Sequence, residues 1–405
     1  MKIYLVGGAV RDDLLGLPVK DRDWVVVGAT AEELQQQGFQ QVGRDFPVFL
    51  HPKTHEEYAL ARTERKKGKG YTGFEVHAAP DVTLEEDLLR RDLTINAMAM
   101  DENHQLIDPF GGAQDLKNGI LRHVSDAFAE DPVRILRIAR FAARYDFQVA
   151  SETMILMKNM VQQGETDALV PERVWQEIST GLMEKNPARM LMVLKECGAL
   201  AVILPEIDAL FGVPQREDYH PEIDTGKHIL LALQKAAEHD FSLPERYAVL
   251  CHDVGKALTP QEILPRHHNH EQRGVELVRQ INRRLRVPKV CTQLASIVVA
   301  YHGIFHQIQQ LRASTIVDIL HRTDAFRRPE RFLSAVKTGI ADAQGRLGFE
   351  SQAYPQYELW QQCLQACQTL NIKQMAQETD AFRLPETIRN ARIQLIKQIK
   401  QTWSD

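Results

Sequence analysis

Over residues 1 to about 120 the chain alternates short apolar runs with amphipathic ones. "KIYLVGG" and "DWVVVG" have the length and β-branched content of buried strands, and "EEYALARTE" alternates as a further strand. Between them, "AVRDDLLG" and "TAEELQQQG" carry helical spacing, the second closed by Gly38. "LEEDLLRRDLTINAMAM" reads as a helix passing into a strand, and from "AEDPVRILRIARFAARYDF" onward the pattern is almost wholly helical. Proline and glycine breaks in "LPEIDALFGVPQ" (204–215) predict a domain junction. The expected architecture is a small α/β head followed by a long all-α body.

Composition narrows the class. A chain of 405 residues is too long for one ordinary core, and 44% hydrophobic with 25% charged residues is the make-up of a soluble globular protein. No run approaches the ~18–20 apolar residues of a membrane helix. The apolar core of "MKIYLVGGAVRDD" is too short for a secretory signal, so a cytoplasmic location is expected. Five scattered cysteines agree with that, and Cys363 and Cys367 in "CLQAC" read as buried helical thiols rather than a metal pair. A net charge of −5 excludes an all-over basic binder, yet "ARTERKKGKGYTG" (61–73) and "RILRIARFAARY" (134–145) are locally basic. There is no internal repeat.

The candidate chemistry begins at the end of the first strand. Gly7 and Gly8 precede a predicted helix, a turn that lets backbone approach a phosphate, although such turns also occur for purely steric reasons. Asp21 and Asp23 stand two apart and, on a strand, project to one side. Such a pair repels itself unless a cation intervenes, and Mg²⁺ suits carboxylates that share it with substrate phosphates. A solvated strand edge is the alternative. Glu57 is the candidate third carboxylate, with a plain surface glutamate as its rival reading. Asp131 and Arg134 lie three apart, where a carboxylate accepts and a guanidinium donates. Cytosine and adenine share an amine donor beside a ring-nitrogen acceptor, so this pair suits them and leaves guanine or uracil unsatisfied. Asp131 followed by Pro132 is also a good helix cap. Arg134, Arg137, Arg140 and Arg144 recur at helical spacing among apolar residues, a stripe suited to a triphosphate or RNA backbone. "RTERKKGKGYTGFEV" (62–76) reads as a loop able to close over nucleotide or tRNA, or as a merely exposed basic loop.

The order "GGAVRD", "DRDW", "RRDLTINAMAM", "EDPVRILRIARF" resembles class II template-independent tRNA nucleotidyltransferases. The full length resembles the gammaproteobacterial type, in which an HD phosphohydrolase domain follows the transferase. The resemblance implies a polymerase-β-like α/β head at 1–140, a helical neck at 141–210, an HD domain at 211–345 and a helical tail at 346–405. It implies Mg²⁺-dependent addition of C, C and A to tRNA from CTP and ATP. It places Gly8 and Arg11 on the phosphate turn, Asp21 and Asp23 on the metal, and Arg91, Arg137 and Arg140 on the nucleotide. Asp92 and Asn96 fall near the ribose, and Asp131 and Arg134 at the amino-acid template. Glu172, Arg173 and Trp175 in "PERVWQEI" are read as mainly structural.

"DTGKHILLAL", "VLCHDVGK", "RHHNHEQRG", "AYHGIFH" and "RTDAFRR" match the HD signature. By that resemblance His228, His252, Asp253 and Asp324 are metal ligands, and His270 and His302 match the extra histidines of two-metal members. His267 and His268 are read as loop residues. Mixed imidazole and carboxylate ligands suit Ni²⁺ or another transition metal. The implied activities are phosphatase, 2′-nucleotidase and 2′,3′-cyclic phosphodiesterase. A monomer or weak homo-oligomer without a membrane partner is expected. Rival readings are a poly(A) polymerase, which shares the head motifs, and a non-catalytic tRNA-binding protein.

Overall fold

The computed structural model describes residues 1–42, 48–66 and 74–403, with backbone alone for 64–66 and 74–76. The chain divides into two compact units, Met1–Glu177 with Met192–Ile203, and Ile178–Leu191 with Leu204–Asp405.

In the first unit β1 (Lys2–Val6) turns through Gly7 into α1 (Gly8–Leu14), and β2 (Asp23–Val27) leads to α2 (Ala31–Gln36). There follow β3 (Gln40–Val42), β4 (Val48–Leu50), β5 (Glu57–Leu60), β6 (Thr63–Lys66) and β7 (Phe74–His77). Then come α3 (Leu84–Leu89), a 3-10 turn (Thr94–Asn96), β8 (Ala99–Met100), β9 (Leu106–Ile107) and α4 (Gly112–Asn118). The main sheet runs β3-β4-β5-β2-β1-β8-β9. Its β2–β5 pair is parallel and puts Asp23 opposite Glu57. The unbroken "VVV" of β2 is explained by burial on both faces. Val25 packs with Val6, Leu88 and Ala99 on one side, while Val26 packs with Leu34, Phe49 and Leu60 on the other. Each is worth roughly 1.5–3 kcal/mol relative to exposure. Thr30 with Glu33, and Thr83 with Glu86, form capping boxes that start α2 and α3. "EEYALARTE" is not one strand. Ala61 still donates to the Val26 carbonyl at 2.8 Å, after which β6 leaves the sheet to pair with β7.

After the short parallel pair β10 (Ile120–Leu121) and β11 (Gln148–Val149), the rest is helical. α5 (Val133–Tyr145) buries Ile135, Leu136, Ile138, Ala139 and Ala142, leaving its arginines on the opposite stripe. α6 (Ser151–Gln162) follows, α7 (Pro171–Leu182) and α8 (Pro187–Glu196) contribute to both units, and α9 (Ala199–Ile203) belongs to the first.

The second unit contains α10 (Pro205–Asp208), α11 (Thr225–Glu238), α12 (Leu243–Cys251), α13 (His270–Arg284) and α14 (Lys289–Phe305). It continues with α15 (Ala313–Arg322), α16 (Pro329–Gln344), α17 (Gln356–Gln368), α18 (Ile372–Glu378) and α19 (Leu384–Thr402). Phe305, Phe332 and Trp360 meet edge to face at 5.5–5.8 Å, and the fully buried indole donates to the Phe305 carbonyl. Cys363 and Cys367 are buried thiols on α17. Among the described residues no helix is long and apolar enough to cross a membrane.

Candidate active sites

All twelve transferase residues singled out in the sequence line one cavity of about 830 Å³ in the first unit: Gly8, Arg11, Asp21, Asp23, Glu57, Arg91, Asp92, Asn96, Asp131, Arg134, Arg137 and Arg140. They come from α1, β2 and the segment before it, β5, the segment after α3, and α5 with the segment that leads into it, so the sheet and two helices converge on it. Asp21 lies before β2 rather than on it, because pairing with β1 ends at the Val6–Asp23 rung. Strand alternation is therefore not what brings the two aspartates together, although both reach the cavity. Burial pushes the Asp23 carboxyl up, Arg91 opposes this, and neighbouring Asp21 adds to the rise. Three carboxylates around one cavity, one of them disfavoured as an anion, fit a divalent cation.

The cationic side of the cavity is held by a second set of acids. Gly7 has φ +69°, and a Cβ there would sit 2.8 Å from Nη1 of Arg91, so its missing side chain makes room for that guanidinium. Arg11 is nearly buried, donates to Asp12 at 2.9 Å and to Asn96, and lies 5.2 Å from the Phe141 and Tyr145 ring centres. Asp12 also accepts from Arg144 and from the Tyr145 hydroxyl. Asp92 accepts from Asn96 at 3.0 Å and from Arg137 at 2.8 Å. Although burial works the other way, Arg137 and Asn96 bring its carboxyl down to about 2. Arg140 donates to Glu177 at 2.6 Å.

Asp131 both holds the start of α5 and faces the cavity. One oxygen accepts from the Val133 N–H at 3.0 Å at the start of α5, the other accepts from Arg173 at 3.0 Å, and the residue still lines the cavity. Arg134 is fixed by the carbonyls of Ala127 and Arg90 at 2.9 and 2.7 Å. Arg173, read from sequence as structural, both pairs with Asp131 and lines the cavity. The predicted loop at 62–76 falls partly outside the described residues.

In the second unit His228 of α11, His252 and Asp253 at the end of α12, His270 of α13 and His302 of α14 come together. Asp324 does not join them. It ends α15 in a left-handed conformation (φ 59°), is a third exposed, and faces Arg327, Arg328 and Arg331 at 3.6–3.8 Å. The carboxylate that completes the cluster is Asp342 of α16, buried, 3.2 Å from His228 Nε2 and 2.7 Å from His306 Nε2. Its sequence signal was an aspartate in the apolar, small-residue run "TGIADAQG", where a charge is buried only with partners.

Asp253 joins two halves of this centre. Oδ2 is 3.2 Å from His252 and 3.9 Å from His228, whereas Oδ1 is 3.4 Å from both His270 and His302. Both ring nitrogens of His228, Nε2 of His252 and Oδ1 of Asp253 are buried without a hydrogen bond. Burial raises Asp253 and Asp342, but Lys256 with His252, and His306 with His252, hold them well below the usual range. Orphaned nitrogens facing ionised buried carboxylates fit divalent metal, one position in each half. Gly255 permits the arrangement, since a Cβ there would lie 1.9 Å from the His270 carbonyl. His220, Glu222, Lys256 and His306 also belong to this neighbourhood and were not singled out in sequence. His267 instead bridges Thr259 and the Pro214 carbonyl, and His268 is exposed.

Three family models match in order: the poly A polymerase head domain over residues 3–122, the probable RNA and SrmB-binding site of polymerase A over 146–211, and the HD domain over 225–328. A multifunctional CCA protein of Neisseria gonorrhoeae is 62% identical, with 100% of this chain and 99% of that one covered. The chain belongs to the multifunctional CCA protein family. Another relative of that name, from Laribacter hongkongensis, is 59% identical over the whole of both chains. The fold is shared with the Thermotoga maritima CCA-adding enzyme complexed with tRNA (TM-score 0.64, 20% identity, 99% of this chain and 91% of that one). The family's architecture is thus a polymerase-β-like head, a helical body and an HD domain, with divalent metal implied in both catalytic parts. The HD match stops before Asp342, which only the packing of α16 on α11 and α12 brings to the centre.

Proposed function

We propose that this protein adds C, C and A to tRNA 3′ ends from CTP and ATP with release of pyrophosphate, and that its HD centre hydrolyses phosphoesters at RNA ends. The observation that carries the first part is the convergence of twelve residues from separate motifs on one cavity. Arg11, Arg91, Arg137 and Arg140 surround the space for a triphosphate, each oriented by a carboxylate or amide partner. Bound Mg²⁺ at Asp21 and Asp23, with Glu57 beside them, supplies activation of the attacking hydroxyl and neutralises the leaving pyrophosphate. Arg173 and the Val133 N–H occupy part of the acceptor capacity of Asp131, yet a carboxylate has about four lone-pair sites. It therefore retains capacity for the exocyclic amine of C or A, while Arg134 donates to the ring nitrogen. Asp92 and Asn96, which also line the cavity, would hold the ribose.

The HD centre offers His228, His252 and Asp342 to one ion and His270 and His302 to a second, with Asp253 between them. Ni²⁺ or another transition metal there supplies polarisation of a phosphate and a hydroxide nucleophile. Phosphatase, 2′-nucleotidase and 2′,3′-cyclic phosphodiesterase activities follow, consistent with tRNA maturation and repair in the cytoplasm by a monomer or weak homo-oligomer. We assign the head to 1–140, the neck to 141–210, the HD domain to 211–345 and the tail to 346–405.

A tRNA ending before CCA, incubated with each nucleotide alone and then with CTP and ATP, tests the transferase. Growth by three residues that then stops is expected. An indefinite run of A would instead support the poly(A) polymerase reading, whose head domain the chain also matches.

A further inference from the structure

We infer that Asp87 is a positioning residue of the transferase, setting the nucleotide-facing arginines without touching the nucleotide; this rests on the transferase reading above. Asp87 lies on α3, is 1% exposed and does not line the cavity. One oxygen accepts from Arg90 at Nε (3.2 Å) and Nη2 (2.8 Å) and from the Arg62 N–H (3.3 Å). The other accepts from Arg91 Nη2 at 3.2 Å. A single buried carboxylate thus organises two adjacent guanidiniums, and removing it strands cations in a place with little water.

The two arginines transmit this to the site along different routes. Arg91 reaches the cavity, with Nη1 against Gly7 and a buried Nε that has no hydrogen bond. Arg90 also lines the cavity, and its carbonyl accepts from Arg134 Nη2 at 2.7 Å. Asp87 consequently fixes both the guanidinium beside the phosphate turn and the platform under the base-reading arginine.

The test is steady-state addition of one C to a tRNA lacking its CCA end, by the full chain carrying Asp87→Asn, Arg91→Ala or both. A misplaced contact of this kind costs about a hundredfold. We expect kcat/KM for CTP to fall by about that factor, mostly through KM, with the KM for tRNA unchanged. Asp87→Asn is expected to cost much less in the Arg91→Ala background than alone, because the Arg91 contact is already gone there and only the Arg90 route remains to be lost. A merely structural role lowers the active fraction and leaves the CTP KM alone. Unchanged KM, or losses that multiply in the double variant, would overturn the inference. Where the amide variant does not accumulate, Asp87→Glu keeps the charge and must show the same non-additivity. If the unaltered protein extends no tRNA, the transferase reading falls; if it does so and Asp87→Asn behaves identically, only this inference falls.

Discussion

Asp342→Asn and Asp324→Ala are expected to separate completely in metal binding. Asp342 is 6% exposed, with His306 at 2.7 Å and His228 at 3.2 Å. Breaking one partner of a buried charged set costs roughly 3–5 kcal/mol. At 1.4 kcal/mol per tenfold, that is about a hundredfold to several thousandfold in affinity for a divalent ion. Asp324 is a third exposed and meets guanidinium nitrogens only at 3.6–3.8 Å. Pairs of that kind are worth about 0–1 kcal/mol, so its loss changes affinity by about fivefold at most. The assay titrates metal-free full-length protein with Ni²⁺ against a competing chelator. Phosphate release from a 2′,3′-cyclic nucleotide and CCA addition are followed on the same preparations. Asp342→Asn should lose binding and phosphate release while CCA addition continues. The reasoning is refuted if Asp324→Ala weakens binding as much as Asp342→Asn, or if Asp342→Asn binds normally.

Three further outcomes are expected. Gly7→Ala forces a side chain onto a backbone conformation, φ +69° and ψ −129°, that suits glycine, at a cost of roughly 1–3 kcal/mol, and puts a methyl 2.8 Å from Arg91 Nη1; it should raise the KM for both nucleotides and leave phosphohydrolysis intact. Asp92, lowered from 3.8 to about 2 by Arg137 and Asn96 against the effect of burial, contributes roughly 2 kcal/mol to stability above about pH 4, lost as pH falls towards 2. Thermal unfolding of Asp92→Asn should therefore lie below the unaltered protein at pH 6, with the gap closing across that window. Arg173→Met releases one oxygen of Asp131, so UTP and GTP incorporation relative to CTP should rise in single-nucleotide assays while binding of tRNA is retained.

Much of the head was legible because its chemistry sits in short, local patterns. Gly7–Gly8, Asp21–Asp23, "RRDLTINA" and "EDPVR" each carry their own geometry, and the fold brings them to one cavity. What escaped was whatever depends on packing between distant elements. Asp342 follows Asp253 by a long stretch of chain and reaches it only because α16 lies against α11 and α12. Asp324 offered a more obvious motif, but its place at the exit of α15 turns it towards three arginines. Asp12, Asp87 and Glu177 were invisible for another reason: on a helix a buried acid beside arginines looks like an exposed ion pair until burial is known. Alternation likewise misassigned Asp21, since it presumes a ladder that in fact stops at Asp23, two residues short of it.

The parallel rung joining Asp23 to Glu57 has an evolutionary corollary. The spacing of those acids is set by main-chain phase, so sliding β5 by one place would present Glu56 or Tyr58 instead and turn Glu57 to the opposite face. Length variation between the strands is thus tolerable wherever the phase survives. A single-codon insertion inside either strand would disarm the transferase with every one of its side chains still encoded.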